Sequence, residues 1–95
     1  MINRNEERAA LREAAREMLP KLRDALEHPP EYGTALRVEE LLVSRPFVEK
    51  AIAVLEPIAE GGRADCKWLY NSITLEMMAN SNGWAGLRYH ARRCL

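Results

Sequence analysis

Cysteine is scarce in this sequence: only Cys66 and Cys94 occur among 95 residues. Two thiols make no disulfide framework, and the expectation is reduced thiols in a cytoplasm. Long apolar runs are also missing. No stretch reaches the roughly 18 apolar residues of a membrane span, and the opening MINRNEERAALRE lacks the apolar core of a secretory signal. Charge of one sign is not in excess either, with 14 basic against 14 acidic side chains. A dedicated nucleic-acid module is usually basic, so nucleic acid is not the expected partner. Finally, the signatures of common chemistry are absent: no P-loop, GxGxxG, HExxH or EF-hand loop can be read.

What is present is a globular composition, 47% apolar and 29% charged. The length fits one domain spanning residues 1–95, whose stability margin should be small enough for a partner or a second copy of the chain to add to it. The zero net charge conceals an uneven layout. Residues 31–62 carry three basic and six acidic side chains, residues 63–95 five basic and two acidic. The middle is therefore negative and the last third positive.

The expected architecture is all-α, a bundle of four to five short helices. In the first, Leu11, Ala15, Met18, Leu22 and Ala25 recur at spacings of four and three and form one apolar stripe. Asn3 or Asn5 is its expected N-cap, and Pro20 should kink or break it near Met18-Leu19. A short helix is expected over Ala35–Val43. Another should run from Ser44 to Glu60, capped by Ser44, with Pro46 in the first turn and Gly61-Gly62 as the stop. Asp65 can cap a segment over 66–78. Leu69, Ile73 and Met77 at spacing four favour a helix there, although the alternation through Asn71 and Leu75 also fits a strand. The tail from Trp84 places Leu87 and Ala91 on one face with it, as a short amphipathic helix.

LLVSRPFVEK, residues 41–50, resembles the start of the recognition helix of a helix-turn-helix DNA-binding unit, which would occupy residues 34–59. The resemblance implies a transcriptional regulator, with Arg45 and Lys50 reaching phosphates or base edges. It covers only the second half of that motif. Leu42 stands where the turn usually holds glycine, and Glu39, Glu40, Glu49 and Glu56 would be repelled by phosphates.

Metal and nucleophile chemistry have thinner support. His90 and Cys94 lie four apart, and with Cys66 and His28 they could be imagined around zinc, but no CxxC or HxxxH pair occurs. No carboxylate or glycine-rich loop accompanies a Cys–His pair. The reading is therefore no metal, no cofactor and no enzyme.

The expected function is binding of a protein partner, as an inhibitor, adaptor or assembly factor that acts sterically. The analogy is one of type, with compact proteins carried by phages and other mobile elements. Two surfaces are candidates. Trp84, Arg88 and Arg92 at spacings of four form a ridge beside Tyr89, composed of the residue types enriched at interface hot spots. Arg8, Arg12 and Arg16 flank the apolar stripe of the first helix, opposite Glu6, Glu13 and Glu17, a layout suited to docking.

Overall fold

The apolar stripe of the N-terminal segment is one buried helix face. In the computed structural model, which describes residues 4–95, α1 runs over Arg4–Glu27. Leu11, Ala15, Met18, Leu22 and Ala25 are all buried, as their spacing predicts. Asn3 lies outside the described residues, and Asn5 is inside the helix, so it is not the cap. The expected break at Pro20 does not occur. Pro20 sits on the exposed side, where water can satisfy the Arg16 carbonyl that loses its intrahelical donor.

The expected helix over residues 35–43 is instead a β-hairpin. β1 (Ala35–Val38) pairs antiparallel with β2 (Leu41–Ser44), Leu36 opposite Val43 and Val38 opposite Leu41. Period two wins because it buries Leu36 and Val38 together while Arg37 points outward. Two glutamates make the turn, and Glu39 has a positive φ of 58°. Residues 34–59 thus form a hairpin followed by a helix. The first helix that a helix-turn-helix needs is not there.

α2 (Arg45–Ala59) starts and stops where its sequence signals stand. The Ser44 hydroxyl accepts the Phe47 N–H at 3.2 Å, and Pro46 occupies the first turn. At the other end Gly61, at φ +82°, donates to Ile58 O, and Gly62 donates to Pro57 O. This paired closure needs a left-handed residue, which glycine supplies without strain.

Segment 66–78 is helical, as expected, but interrupted. Asp65 caps α3 (Cys66–Ser72) by accepting the Trp68 N–H at 3.1 Å. The chain then extends at Ile73, burying that side chain, and the Thr74 hydroxyl caps α4 (Leu75–Asn80). Ser81 caps α5 (Asn82–Arg93) through the Trp84 N–H.

The chain is a mostly α-helical domain with a small two-stranded sheet. α1 packs against α2 and α5, the hairpin closes one end against α1 and α2, and α3 and α4 lie against α5. Trp84 was expected as an exposed anchor, but it is completely buried. Because α5 begins at Asn82, Trp84 shares the buried face of Leu87 and Ala91 at spacings of three and four. Its ring meets Phe47 edge-on at 5.5 Å, and Phe47 in turn lies 5.5 Å from Trp68.

Candidate anion-binding cavity

Spacing of four along α1 puts Arg8, Arg12 and Arg16 in one row beside the apolar stripe. The row runs along the C-terminal end of α2, and its members do different work. Arg16 Nε donates to Ala59 O at 3.0 Å and so satisfies one of the last carbonyls of α2. Arg12 lies against the closure that follows: a Cβ on Gly61 would stand 3.5 Å from its guanidinium. Arg8 is close enough to Cys66 to favour the thiolate of that residue electrostatically.

Around Arg8 and Arg12 is a cavity of about 430 Å³. Leu11 and Ile58 give it an apolar base, Gly61-Gly62 and Arg63 form the wall after α2, and Cys66 and Cys94 close the far side. Three arginines therefore line one opening, contributed by two turns of α1 and by the loop between α2 and α3. Among the described residues none of these three is in an ion pair. Arg12 Nε is buried and has no hydrogen-bond partner among the described residues. An unsatisfied buried donor costs about 1–3 kcal/mol. Converging arginines of this kind suit a planar carboxylate or a phosphate.

The expected ridge on α5 is taken apart. Trp84 is core. Arg88 is half-buried and braces the fold: its guanidinium carbon lies 4.2 Å from the centre of the Tyr70 ring, Nε donates to Tyr70 O and a terminal nitrogen reaches Met78 Sδ. Arg92 and Tyr89 are on the surface, but Tyr89 lies beside Arg93, whose guanidinium carbon is 5.6 Å from the ring centre. Of the seven residues expected to bind a partner, only Arg8 and Arg12 come together at a cavity.

The imagined zinc ligands separate. His28 pairs with Asp24, and His90 faces Glu7, while Cys66 and Cys94 meet at the cavity. Among the described residues no group of three or more His, Cys, Asp or Glu is placed to hold a metal ion.

Two carboxylates missed in the sequence tie elements of the fold together. Glu7 lies four residues before Leu11, at the buried edge of α1, and takes Arg93 Nε at 2.7 Å and His90 Nδ1 at 3.4 Å. Burial alone would raise its pKa, but the hydrogen bonds and charges of Arg93 and His90 outweigh it, and the carboxyl is held below its ordinary value. Its place on the apolar stripe was the signal that could have revealed it. Glu39 is likewise held low. Burial opposes this, and Lys21, Ser81 and the Gly83 N–H prevail. Arg63 gave no local signal, because only the α2–α3 connection brings it to α1.

Comparison with known proteins finds no matching family model, curated protein or solved structure.

Proposed function

We propose that the chain is a small protein-binding module that acts sterically, by seating an acidic segment of its partner in the cavity formed by Arg8, Arg12 and Arg63. One observation carries this reading: Arg8, Arg12 and Arg63 line one cavity, and among the described residues none of the three is in an ion pair. A side chain bearing a carboxylate would neutralise part of that positive charge. The apolar base of Leu11 and Ile58 would take the aliphatic part of such a segment. Binding of this kind needs no catalytic group.

The test is fluorescence anisotropy with a labelled oligoglutamate peptide and an oligoglutamine control. The glutamate peptide should bind, salt should weaken it, and Arg12→Gln with Arg63→Gln should reduce its affinity by about tenfold or more. Equal binding of both peptides, or an affinity unchanged in the double variant, overturns the reading. Light scattering on the same samples shows whether the binding unit is one chain or a pair.

A further inference from the structure

Cys66 and Cys94 are the cavity residues that anion binding leaves unused. They come from different elements, Cys66 as the first residue of α3 and Cys94 as the residue that ends α5. Both line the cavity. Their side chains are close enough to influence each other electrostatically, and both thiols are free. Cys66 is buried and Cys94 half-buried, so a reagent in the cavity meets Cys94 first.

We infer that Cys66 and Cys94 are a reversible redox pair, oxidised to an intramolecular disulfide by exchange with an anionic low-molecular-weight disulfide that the cavity arginines draw in. The Cys94 thiolate attacks one sulfur of the small disulfide, forms a mixed disulfide and releases one small thiolate. The Cys66 thiolate then attacks Cys94 Sγ, forms the Cys66–Cys94 bond and releases the second. Two protein thiols are oxidised, one small disulfide is reduced to two thiols, and the two protein protons end on the released thiolates.

The order of attack follows from the surroundings. Burial pushes the Cys66 thiol up to about 11, Cys94 and Asp65 push the same way, and Arg8 opposes them. Cys66 is thus the poorer first nucleophile. Once Cys94 is in a mixed disulfide, its charge no longer holds the Cys66 proton, while Arg8 still favours the thiolate. Arg12 and Arg63 add positive charge at the same opening. Ring closure should therefore quicken as pH rises. The inference stands on the thiols and does not require that the cavity take an acidic protein segment.

The test incubates the reduced, folded chain with glutathione disulfide, which is anionic, and in parallel with hydroxyethyl disulfide, which is neutral. Intact mass and peptide mapping should show loss of two hydrogens and a Cys66–Cys94 link, reversed by dithiothreitol. Cys66→Ser should stop at the mixed disulfide on Cys94. The oxidised chain should melt roughly 10 °C higher, since the bond closes a long loop. In the Cys66→Ser chain, which reads only the attack by Cys94, Arg8→Gln with Arg12→Gln should slow the glutathione arm about tenfold and leave the neutral arm nearly unchanged. Three results overturn the inference: no intramolecular bond in either arm, only bonds between chains, or arms equally affected by the arginine changes.

Discussion

The carboxylate of Glu39, in the hairpin turn, accepts the Gly83 N–H at 3.3 Å, 44 positions further along the chain. The same carboxylate takes the Ser81 hydroxyl, itself the cap of α5, and Lys21 Nζ at 2.8 Å. One side chain thereby ties the hairpin to α1 and to the start of α5. It also sits in a residue whose φ of 58° a glycine would adopt more easily.

Two changes at Glu39 separate contact from backbone strain. Glu39→Ala keeps the unfavourable φ and loses all three partners, so urea unfolding should show a loss of about 2–3 kcal/mol. Glu39→Gly loses the same partners but relieves the backbone, and should be milder by about 1 kcal/mol. Equal losses would mean that the positive φ carries no cost here. Gly83→Ala should also destabilise, by about 1–3 kcal/mol, because its new methyl would meet the Glu39 carboxylate and Met18 Cε.

Acid should loosen the join between α1 and α5. Glu7 and Glu39 both have folded pKa values held below their ordinary value of 4.5. A depressed carboxyl contributes stability above its unfolded pKa and loses it as pH falls through the folded value. Melting temperature should therefore decline below about pH 4.5. In Glu7→Gln the melting temperature should be lower at neutral pH, and the further loss in acid smaller. A Glu7→Gln chain with the same acid profile as the parent would show that the Arg93 and His90 contacts are not coupled to folding.

Trp84 now has a role that stability measurements can check. As the largest fully buried side chain, it should cost about 3–5 kcal/mol when replaced by alanine. Its Nε1 has no hydrogen-bond partner in the core. Trp84→Phe should therefore lose packing but no hydrogen bond, and be clearly milder than Trp84→Ala. Calorimetry of the two variants decides this. A small effect of Trp84→Ala would be incompatible with the buried position.

What could be read from the sequence was local. The stripe on α1, the Ser44 and Asp65 caps and the glycine stop of α2 each depend on residues within one or two turns, and each is where the pattern places it. The hairpin was illegible because Glu39-Glu40 carries no turn signature; residues 21, 81 and 83 hold Glu39 in place. Trp84 shares a spacing of four with Arg88 and Arg92, which points to a surface ridge. The competing signal, its shared face with Leu87 and Ala91, was the correct one. For the site, the sequence supplied Arg8 and Arg12 as a row. It did not supply Arg63 or the two thiols, which chain folding alone brings to them.

Arg12 offers the sharpest separation of binding from folding. A residue that serves the fold weakens it when removed. Arg12 has a half-buried side chain, a buried Nε without an acceptor, and no ion pair among the described residues. Replacing it with methionine keeps most of the aliphatic stem while removing a charge and an unsatisfied donor. Arg12→Met should thus leave the unfolding free energy unchanged or raise it by up to about 1 kcal/mol, the pattern of a site that trades stability for binding. Affinity for the oligoglutamate peptide should fall in the same variant. Arg16→Met is the internal control. Its Nε bond to Ala59 O ties α1 to the end of α2, so its loss should cost about 1–2 kcal/mol of stability. A chain destabilised by Arg12→Met as much as by Arg16→Met would assign Arg12 to the fold and remove it from the binding site.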